Sequence, residues 1–149
     1  MVSSYLADNA GELVFDRLLI ERILEEWPEL KIFVAVRGAP VSSDATLVDA
    51  DDIELDAVAT VLQNGSDAPG TLLSDCSAEF QELFERADMV ISKGQGNYES
   101  LSGTGTNVCF LFTVKCDLVA RQTGLRTGTL VAGRPPGGAG TPHGETAHS

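Results

Sequence analysis

The amino-acid sequence predicts an α/β fold with a mainly parallel, Rossmann-like sheet. A short apolar strand over residues 2–6 is followed by an amphipathic helix over residues 12–26 and by the apolar run Lys31–Val36. A nearly continuous run of apolar and β-branched residues is typical of a central parallel strand that is covered on both faces. Strand, helix and strand at this spacing form a right-handed βαβ unit.

The remaining elements continue the alternation of helix and strand. The first helix should bury a stripe of apolar side chains and end near Pro28, because proline cannot continue a helix. The next acidic stretch, residues 49–61, is predicted to be mostly helical and solvated. The other predicted elements are a helix over 79–87, strands over 89–91 and 108–112, a helix over 115–123 closed by Gly124, and a last strand over 129–131. The predicted stripe of the first helix is Leu13, Leu18, Leu19, Ile23 and Leu24.

Length and composition predict one folded domain with a tail. The chain has 149 residues, 43% of them hydrophobic, which is enough to bury a core. Residues 1–132 are predicted to form the α/β domain. Residues 133–149 are rich in Pro and Gly and are expected to be disordered. The two histidines, His143 and His148, lie in this tail and are expected to be solvated rather than metal ligands.

The charge balance restricts the partners. With 10 basic and 22 acidic side chains the formal net charge is −12, which argues against nucleic acid and anionic membrane, since both require clustered Lys and Arg. The start of the chain is no signal peptide and no apolar run is long enough to span a bilayer, so a cytoplasmic protein is expected. Three widely spaced cysteines without a CxxC pair predict reduced thiols.

Polar side chains follow the first two predicted strands. Asp8 and Asn9 come after the first strand, and Asp44 lies a few residues past the end of the second. Ligands bind at the carboxyl ends of strands in an open α/β sheet, and carboxylate and amide oxygens suit Mg²⁺ or Mn²⁺. Helix capping is the alternative interpretation for each of these residues, because Asp and Asn are preferred N-cap residues.

A third polar cluster follows the strand at 89–91. Lys93 supplies a cation, and Gly94 and Gly96 allow backbone N–H groups to approach an anion ahead of a helix N-terminus. An ordinary surface turn is the alternative, because the segment is neither a Walker A sequence nor a GxGxxG fingerprint. Capping and turn formation explain each cluster singly but predict no convergence of oxygen ligands and a cation at one sheet edge.

The combined pattern resembles the metal-dependent damage-control phosphatases, a former family of unknown function also described as protein-glutamate methyltransferase-like. The likeness extends from about Tyr5 to Val131. Its motifs are Asp8-Asn9-Ala10-Gly11-Glu12 with Asp16, Arg37-Gly38-Ala39-Pro40-Val41-Ser42-Ser43-Asp44-Ala45-Thr46, Ser92-Lys93-Gly94-Gln95-Gly96-Asn97-Tyr98-Glu99, and Val114-Lys115-Cys116-Asp117-Leu118-Val119-Ala120.

The resemblance implies a three-layer α/β/α sandwich that hydrolyses phosphate monoesters of sugars or other small, often damaged, metabolites. It assigns a divalent cation to Asp8, Asn9 and Asp44, with Mn²⁺ or Mg²⁺ expected and Ni²⁺ or Co²⁺ as further candidates. It assigns the substrate phosphate to Lys93. The residues expected to contact substrate are Lys93, Gly94, Gly96, Asn97, Arg37 and Glu12, and Glu12 with Asp16 can also orient a water or a neighbouring group.

Other functions remain open. Members of the family usually carry a preceding helical region, which this chain is expected to lack because it begins almost at the first strand. An inactive fragment or a binding module is therefore the main alternative. A carboxyl methyltransferase ranks lower, because no Gly-rich turn with an acidic ribose partner follows the first strand. A haloacid-dehalogenase phosphatase lacks support without a DxDxT sequence, and a receiver domain would place Pro after the lysine.

Overall fold

A computed structural model describes residues 1–38, 43–66, 71–104 and 107–135. These residues form one six-stranded sheet. Its strands are β1 Val2–Leu6, β2 Lys31–Val36, β3 Thr60–Gln63, β4 Met89–Lys93, β5 Val108–Thr113 and β6 Leu130–Gly133. Their order across the sheet is β3-β2-β1-β4-β5-β6. The first five strands in this order pair in parallel, and β6 runs antiparallel to β5. The predicted α/β, Rossmann-like class is therefore confirmed.

Helices cover both faces of the sheet and give the three-layer arrangement. One hydrophobic core packs the first two helices on one face, around Tyr5, Ile20 and Val34. A second core packs the other three helices on the opposite face, around Phe80 and Phe110. The helices are α1 Leu13–Glu26, α2 Leu47–Asp52, α3 Ala78–Arg86, α4 Gln95–Leu101 and α5 Asp117–Thr123, with short 3₁₀ helices at Ala10–Glu12, Leu55–Ala57 and Leu73–Asp75.

The strand order fixes where a ligand site can form. The chain moves outward from β1 to β2 and β3, and then returns to pair β4 with the other side of β1. Leu6 at the end of β1 is aligned with Ala35 of β2 on one side and with Ser92 of β4 on the other. The segments after these three strands consequently leave the same sheet edge, at the point where the strand order reverses. Crevices at such points are the usual ligand sites of open α/β sheets.

Two sequence predictions about these elements were wrong in part. The acidic stretch does contain α2 and a 3₁₀ helix, but it ends in the strand β3, whose Thr60-Val61-Leu62 pair with β2. In the predicted stripe of α1, Leu13 is buried and Ile23 and Leu24 pack against the core, but Leu18 and Leu19 are exposed. The fully buried positions are Leu13, Asp16 and Ile20. The helix therefore turns a polar residue toward the sheet, and this residue becomes part of the site described below.

The position of α1 predicts opposite outcomes for two truncations on the same helix. Ile20 is fully buried, so Ile20→Ala should lower the free energy of unfolding by about 2–5 kcal/mol through lost burial and cavity formation. Leu18 is 55% exposed, so Leu18→Ala should change it by no more than about 0.5 kcal/mol. Urea unfolding of both variants is the measurement. Equal losses would contradict the observed rotation of the helix.

Some predictions fall outside the described residues. These include Ala39–Ser42 of the second motif and the tail from residue 136 onward with its two histidines. Within the described ranges, no helix is long and apolar enough to cross a membrane. Cys76, Cys109 and Cys116 are free thiols, as expected.

Candidate active site

Asp8 lies against the backbone at the end of β4. Continuing the register of β1 and β4 beyond Leu6 and Ser92 brings Asp8 beside Gly94. A Cβ atom on Gly94 would lie only 2.3 Å from Asp8 Oδ2, and Gly94 adopts a φ of +93°, which favours glycine. The Asp8 carboxylate thus occupies the space that any larger side chain at position 94 would need.

The segment after β1 pairs with the segment before α2 and brings Asp44 to Asp8 and Asn9. Asn9 and Asp44 form an isolated antiparallel bridge. The amide of Ala45 donates to the Asp8 carbonyl and the amide of Ala10 donates to the Ser43 carbonyl, both at 2.8 Å. These backbone bonds hold the three predicted oxygen donors in one place.

Helix capping, the alternative interpretation of these residues, is correct for Asn9 but not for Asp44. Asn9 does cap: its Oδ1 accepts a hydrogen bond of 2.9 Å from the Gly11 amide at the start of the 3₁₀ helix. Asp44 does not cap α2, because Thr46 is the N-cap and forms a capping box with Asp49. An amide oxygen has two lone pairs, so the cap leaves Asn9 Oδ1 one acceptor position for a ligand.

Arg37 serves Asp44. Its Nε donates to Asp44 Oδ2 at 2.9 Å, and its side chain is only 4% exposed. The pair orients the Asp44 carboxylate. Direct binding of substrate by Arg37 stays a prediction, although its buried guanidinium is already paired with Asp44.

Negative charge concentrates around Asp8. Burial raises the pKa of Asp8, and the neighbouring charges of Asp44 and Glu12 raise it further, whereas Lys115 and Arg37 oppose the shift. A carboxylate whose pKa is raised by burial and by neighbouring carboxylates is typical of sites that bind a cation or perform chemistry.

The residues fit a hard divalent cation when the Asn9 amide is included. In the described ranges, no group of three His, Cys, Asp or Glu side chains is positioned to hold a metal. The available donors are two carboxylates, Asp8 and Asp44, and one neutral amide oxygen. Mg²⁺ is commonly bound through one or two carboxylates and completes its shell with water and substrate phosphate. Mn²⁺ favours the same carboxylate, carbonyl and water oxygens.

Lys93 is held at this sheet edge and is no ordinary surface lysine. Its Nζ donates to Asp16 Oδ1 at 2.8 Å and to Glu12 Oε1 at 2.9 Å, and its side chain is 18% exposed. Burial alone would lower the pKa of Lys93, but the hydrogen bonds and charges of the two carboxylates outweigh it and raise the pKa. The ammonium therefore stays charged at neutral pH.

A cleft of about 260 Å³ opens between these residues and the end of β5. Asp8, Glu12, Lys93, Gly94 and Lys115 are among the residues that line it. Lys115 was not among the predicted site residues, although it belongs to the fourth motif. Its position in the sequence could have indicated this role. Lys115 follows β5, which is the next parallel strand, just as Lys93 lies at the end of β4. Two lysines therefore face a cleft that also contains Asp8.

The glycine-rich segment contributes less to the cleft than expected. Asn97 is buried, donates from Nδ2 to the Lys93 carbonyl at 2.8 Å and accepts from Thr71 Oγ1 at 2.7 Å. It fixes the backbone of Lys93 and is not positioned to contact substrate, which corrects that prediction. The Gly94 amide donates to the Leu111 carbonyl in the sheet and is not a donor for an anion. Gly96 is exposed in the first turn of α4 and stays a predicted contact.

The contact between Gly94 and Asp8 yields a prediction with a matched control. Gly94→Ala should displace the Asp8 carboxylate and lower turnover roughly a hundredfold, because small displacements of reacting groups are costly. Gly124→Ala imposes similar backbone strain at φ +75°, but its Cβ would have nothing within 4 Å. The control should cost about 1–3 kcal/mol of stability without selective loss of activity. Equal specific activities of the two folded variants would contradict the assigned contact.

Comparison with known proteins points to one family. The family model described as the damage-control phosphatase ARMT1-like domain matches residues 3–131. A damage-control phosphatase from Archaeoglobus fulgidus is 42% identical over 130 residues, which cover 86% of this chain and 44% of that protein. A damage-control phosphatase from Pyrococcus horikoshii is 38% identical over 131 residues, covering 87% of this chain and 45% of that protein.

A solved structure shows the same fold. The crystal structure of a DUF89 family protein from Pyrococcus horikoshii superposes with a TM-score of 0.85 at 37% sequence identity, covering 89% of this chain and 47% of that chain. The present chain thus spans less than half the length of these relatives.

Proposed function

The chain belongs to the damage-control phosphatase ARMT1-like family, and from this premise we propose that it hydrolyses phosphate monoesters of small metabolites with a divalent cation. The observation that carries the proposal is that Asn9 and Asp44 form a bridge next to Asp8, which lines one cleft together with Lys93. Helix capping explains the position of the Asn9 side chain only. It does not account for the raised pKa of Asp8 or for the paired, largely buried Lys93 near it.

Each residue has a separate part in the proposed reaction. Asp8, Asn9 and Asp44 would hold Mn²⁺ or Mg²⁺, with Ni²⁺ or Co²⁺ as further candidates. The cation would supply Lewis-acid polarisation of the phosphoryl group and neutralise its charge. Lys93 would donate a charged hydrogen bond to a phosphate oxygen, and Lys115, which also lines the cleft, would add positive charge.

The charge balance explains why a cation is needed before substrate. Four carboxylates, those of Asp8, Glu12, Asp16 and Asp44, surround the cleft or its lysine, against the three cations Lys93, Lys115 and Arg37. A phosphate dianion would meet a site that is not positive overall. A divalent cation reverses this balance. The neutral amide of Asn9 contributes a ligand without adding a further negative charge.

The dimensions of the cleft support a small substrate. A volume of about 260 Å³ suits a metabolite-sized phosphate ester such as a sugar phosphate, and its lining combines lysines and carboxylates with the apolar Leu111 and Val131. Phosphate would lie toward Lys93, and the organic group would extend along the ends of β5 and β6. We expect neither nucleic acid nor membrane as a partner, given the net charge of −12.

An assay with a generic phosphate ester tests the proposed activity. Release of inorganic phosphate should depend on added Mn²⁺ or Mg²⁺ and should disappear in excess chelator, with recovery when the metal is restored. Full turnover in excess chelator would reject the metal-dependent mechanism. Cation binding by calorimetry without any turnover, across a panel of sugar phosphates, would favour the binding-module alternative.

A further inference from the structure

We propose that Asp16 is a positioning residue that fixes the Lys93 ammonium permanently, whereas Glu12 is an exchangeable partner that an incoming phosphate displaces. The inference deepens the proposed phosphatase function and rests on it for the identity of the anion. It concerns two carboxylates that contact the same ammonium group but differ in burial and in their other hydrogen bonds.

Asp16 is anchored below the cleft. Its side chain is 2% exposed, and Oδ1 accepts from Lys93 Nζ at 2.8 Å and from the buried Tyr5 hydroxyl at 2.6 Å. Its other oxygen, Oδ2, is buried without a hydrogen-bond partner in the part of the chain that the structure describes. Burying an unpaired carboxylate costs free energy, so losing the contact with Lys93 would destabilise the protein. The contact between Asp16 and Lys93 is therefore expected to persist.

Tyr5 strengthens this anchor from β1. Its ring belongs to the core between the sheet and α1, and its side chain is fully buried. Burial together with the nearby Asp16 charge raises the pKa of the Tyr5 hydroxyl, which therefore remains a proton donor to Asp16. Tyr5 and Asp16 thus connect the core to Lys93 through two successive hydrogen bonds.

Glu12 is held much less firmly. Its side chain is 48% exposed, lies at the end of the short 3₁₀ helix and lines the open cleft. An ion pair with a half-exposed partner contributes little, so a phosphate with more charge and more acceptor oxygens can replace Glu12. A lysine ammonium has three N–H donors, and Asp16 and Glu12 accept two of them. Displacing Glu12 would give a phosphate two donors while Asp16 retains the third.

Two near-isosteric variants separate the roles. Glu12→Gln removes the competing charge, so inorganic phosphate should bind the Mn²⁺-loaded protein about three- to tenfold more tightly, as measured by calorimetry. Asp16→Asn should make the Lys93 ammonium more mobile. Phosphate should then bind more weakly, and kcat/KM should fall by roughly ten- to a hundredfold. Tyr5→Phe keeps the Asp16 charge and should give a smaller loss than Asp16→Asn.

A measurement that needs neither turnover nor phosphate distinguishes this inference from the proposed function. The rate at which an amine-reactive reagent modifies Lys93, followed by mass spectrometry, should rise at least about threefold in Asp16→Asn and less in Glu12→Gln, because Asp16 is the buried partner of the ammonium and Glu12 the exposed one. Circular dichroism and thermal unfolding establish that each variant is folded.

Several outcomes would overturn the inference. Unchanged Lys93 labelling in a folded Asp16→Asn variant would reject the positioning role, and weaker or equal phosphate binding by Glu12→Gln would reject the exchange. If the wild-type protein with Mn²⁺ binds no phosphate, the proposed function and the role of Glu12 both fail. The labelling result then still decides the role of Asp16. If Asp16→Asn does not fold, Tyr5→Phe labelling equal to that of the wild type rejects the anchor.

Discussion

Asp8→Asn should lower turnover more than about a hundredfold and, in the metal-free protein, raise the thermal stability at neutral pH. The loss of activity follows from removing a charged metal ligand. Substitutions of residues that hydrogen-bond to a metal ligand, without binding the metal themselves, already cost about 10–100-fold in metal affinity or activity. The gain in stability follows from the environment of Asp8, which is buried and lies near the negative charges of Asp44 and Glu12.

The pH dependence of stability should carry the same signature. The pKa of Asp8 is raised in the folded protein, so the folded state binds this proton more tightly than the unfolded state. The contribution of Asp8 to stability is therefore most favourable at low pH. It declines as the pH rises from the ordinary aspartate pKa through the raised one. Asn carries no titrating carboxyl, so the variant should lose this decline.

Thermal unfolding from pH 4 to 8, with excess chelator and then with Mn²⁺, measures both effects. Without metal the variant should unfold at a higher temperature than the wild type above the pKa of Asp8. With metal the order should reverse, because only the wild type gains binding energy. Asp51→Asn is a matched control on the exposed part of α2. A wild type that is more stable than Asp8→Asn without metal would mark Asp8 as a structural residue.

Lys93→Ala should lower kcat/KM by roughly ten- to more than a hundredfold at saturating metal. Loss of a hydrogen bond between a charged donor and the phosphate is worth about 1.5–3 kcal/mol, which corresponds to that range. The variant also leaves the buried Asp16 without its positively charged partner, so stability must be measured alongside activity. Lys93→Arg should not restore full activity, because the planar guanidinium is larger and presents its donors in a different geometry.

Lys31→Ala is the control for this variant. Lys31 is exposed and begins β2 at the opposite edge of the sheet, so its removal changes the net charge equally without touching the cleft. Steady-state kinetics of the two variants should separate a local contact from a general effect of charge. Equal kcat/KM values for Lys93→Ala and the wild type would reject Lys93 as a site residue.

The sequence by itself determined the class of the fold and the edge at which the site forms. The bounds predicted for β1 and β2 agree with the structure, because short apolar runs bordered by polar residues and proline allow few other conformations. The polar residues after β1, β2 and β4 were expected at one edge because parallel strands joined by helices must share a direction. That reasoning requires only local patterns and the rule for βαβ units.

Tertiary structure alone decided which side chains meet. The stripe of α1 was misjudged at Leu18 and Leu19, because periodicity alone does not place the edge of the buried face. The observed rotation buries Asp16, which pairs with Lys93. The pairing of Arg37 with Asp44 and the hydrogen bonds that bury Asn97 were equally hidden. The contact between Gly94 and Asp8 joins residues far apart in the chain through strand register. Local propensity carries no information about such contacts, since packing across the whole sheet sets register and helix rotation.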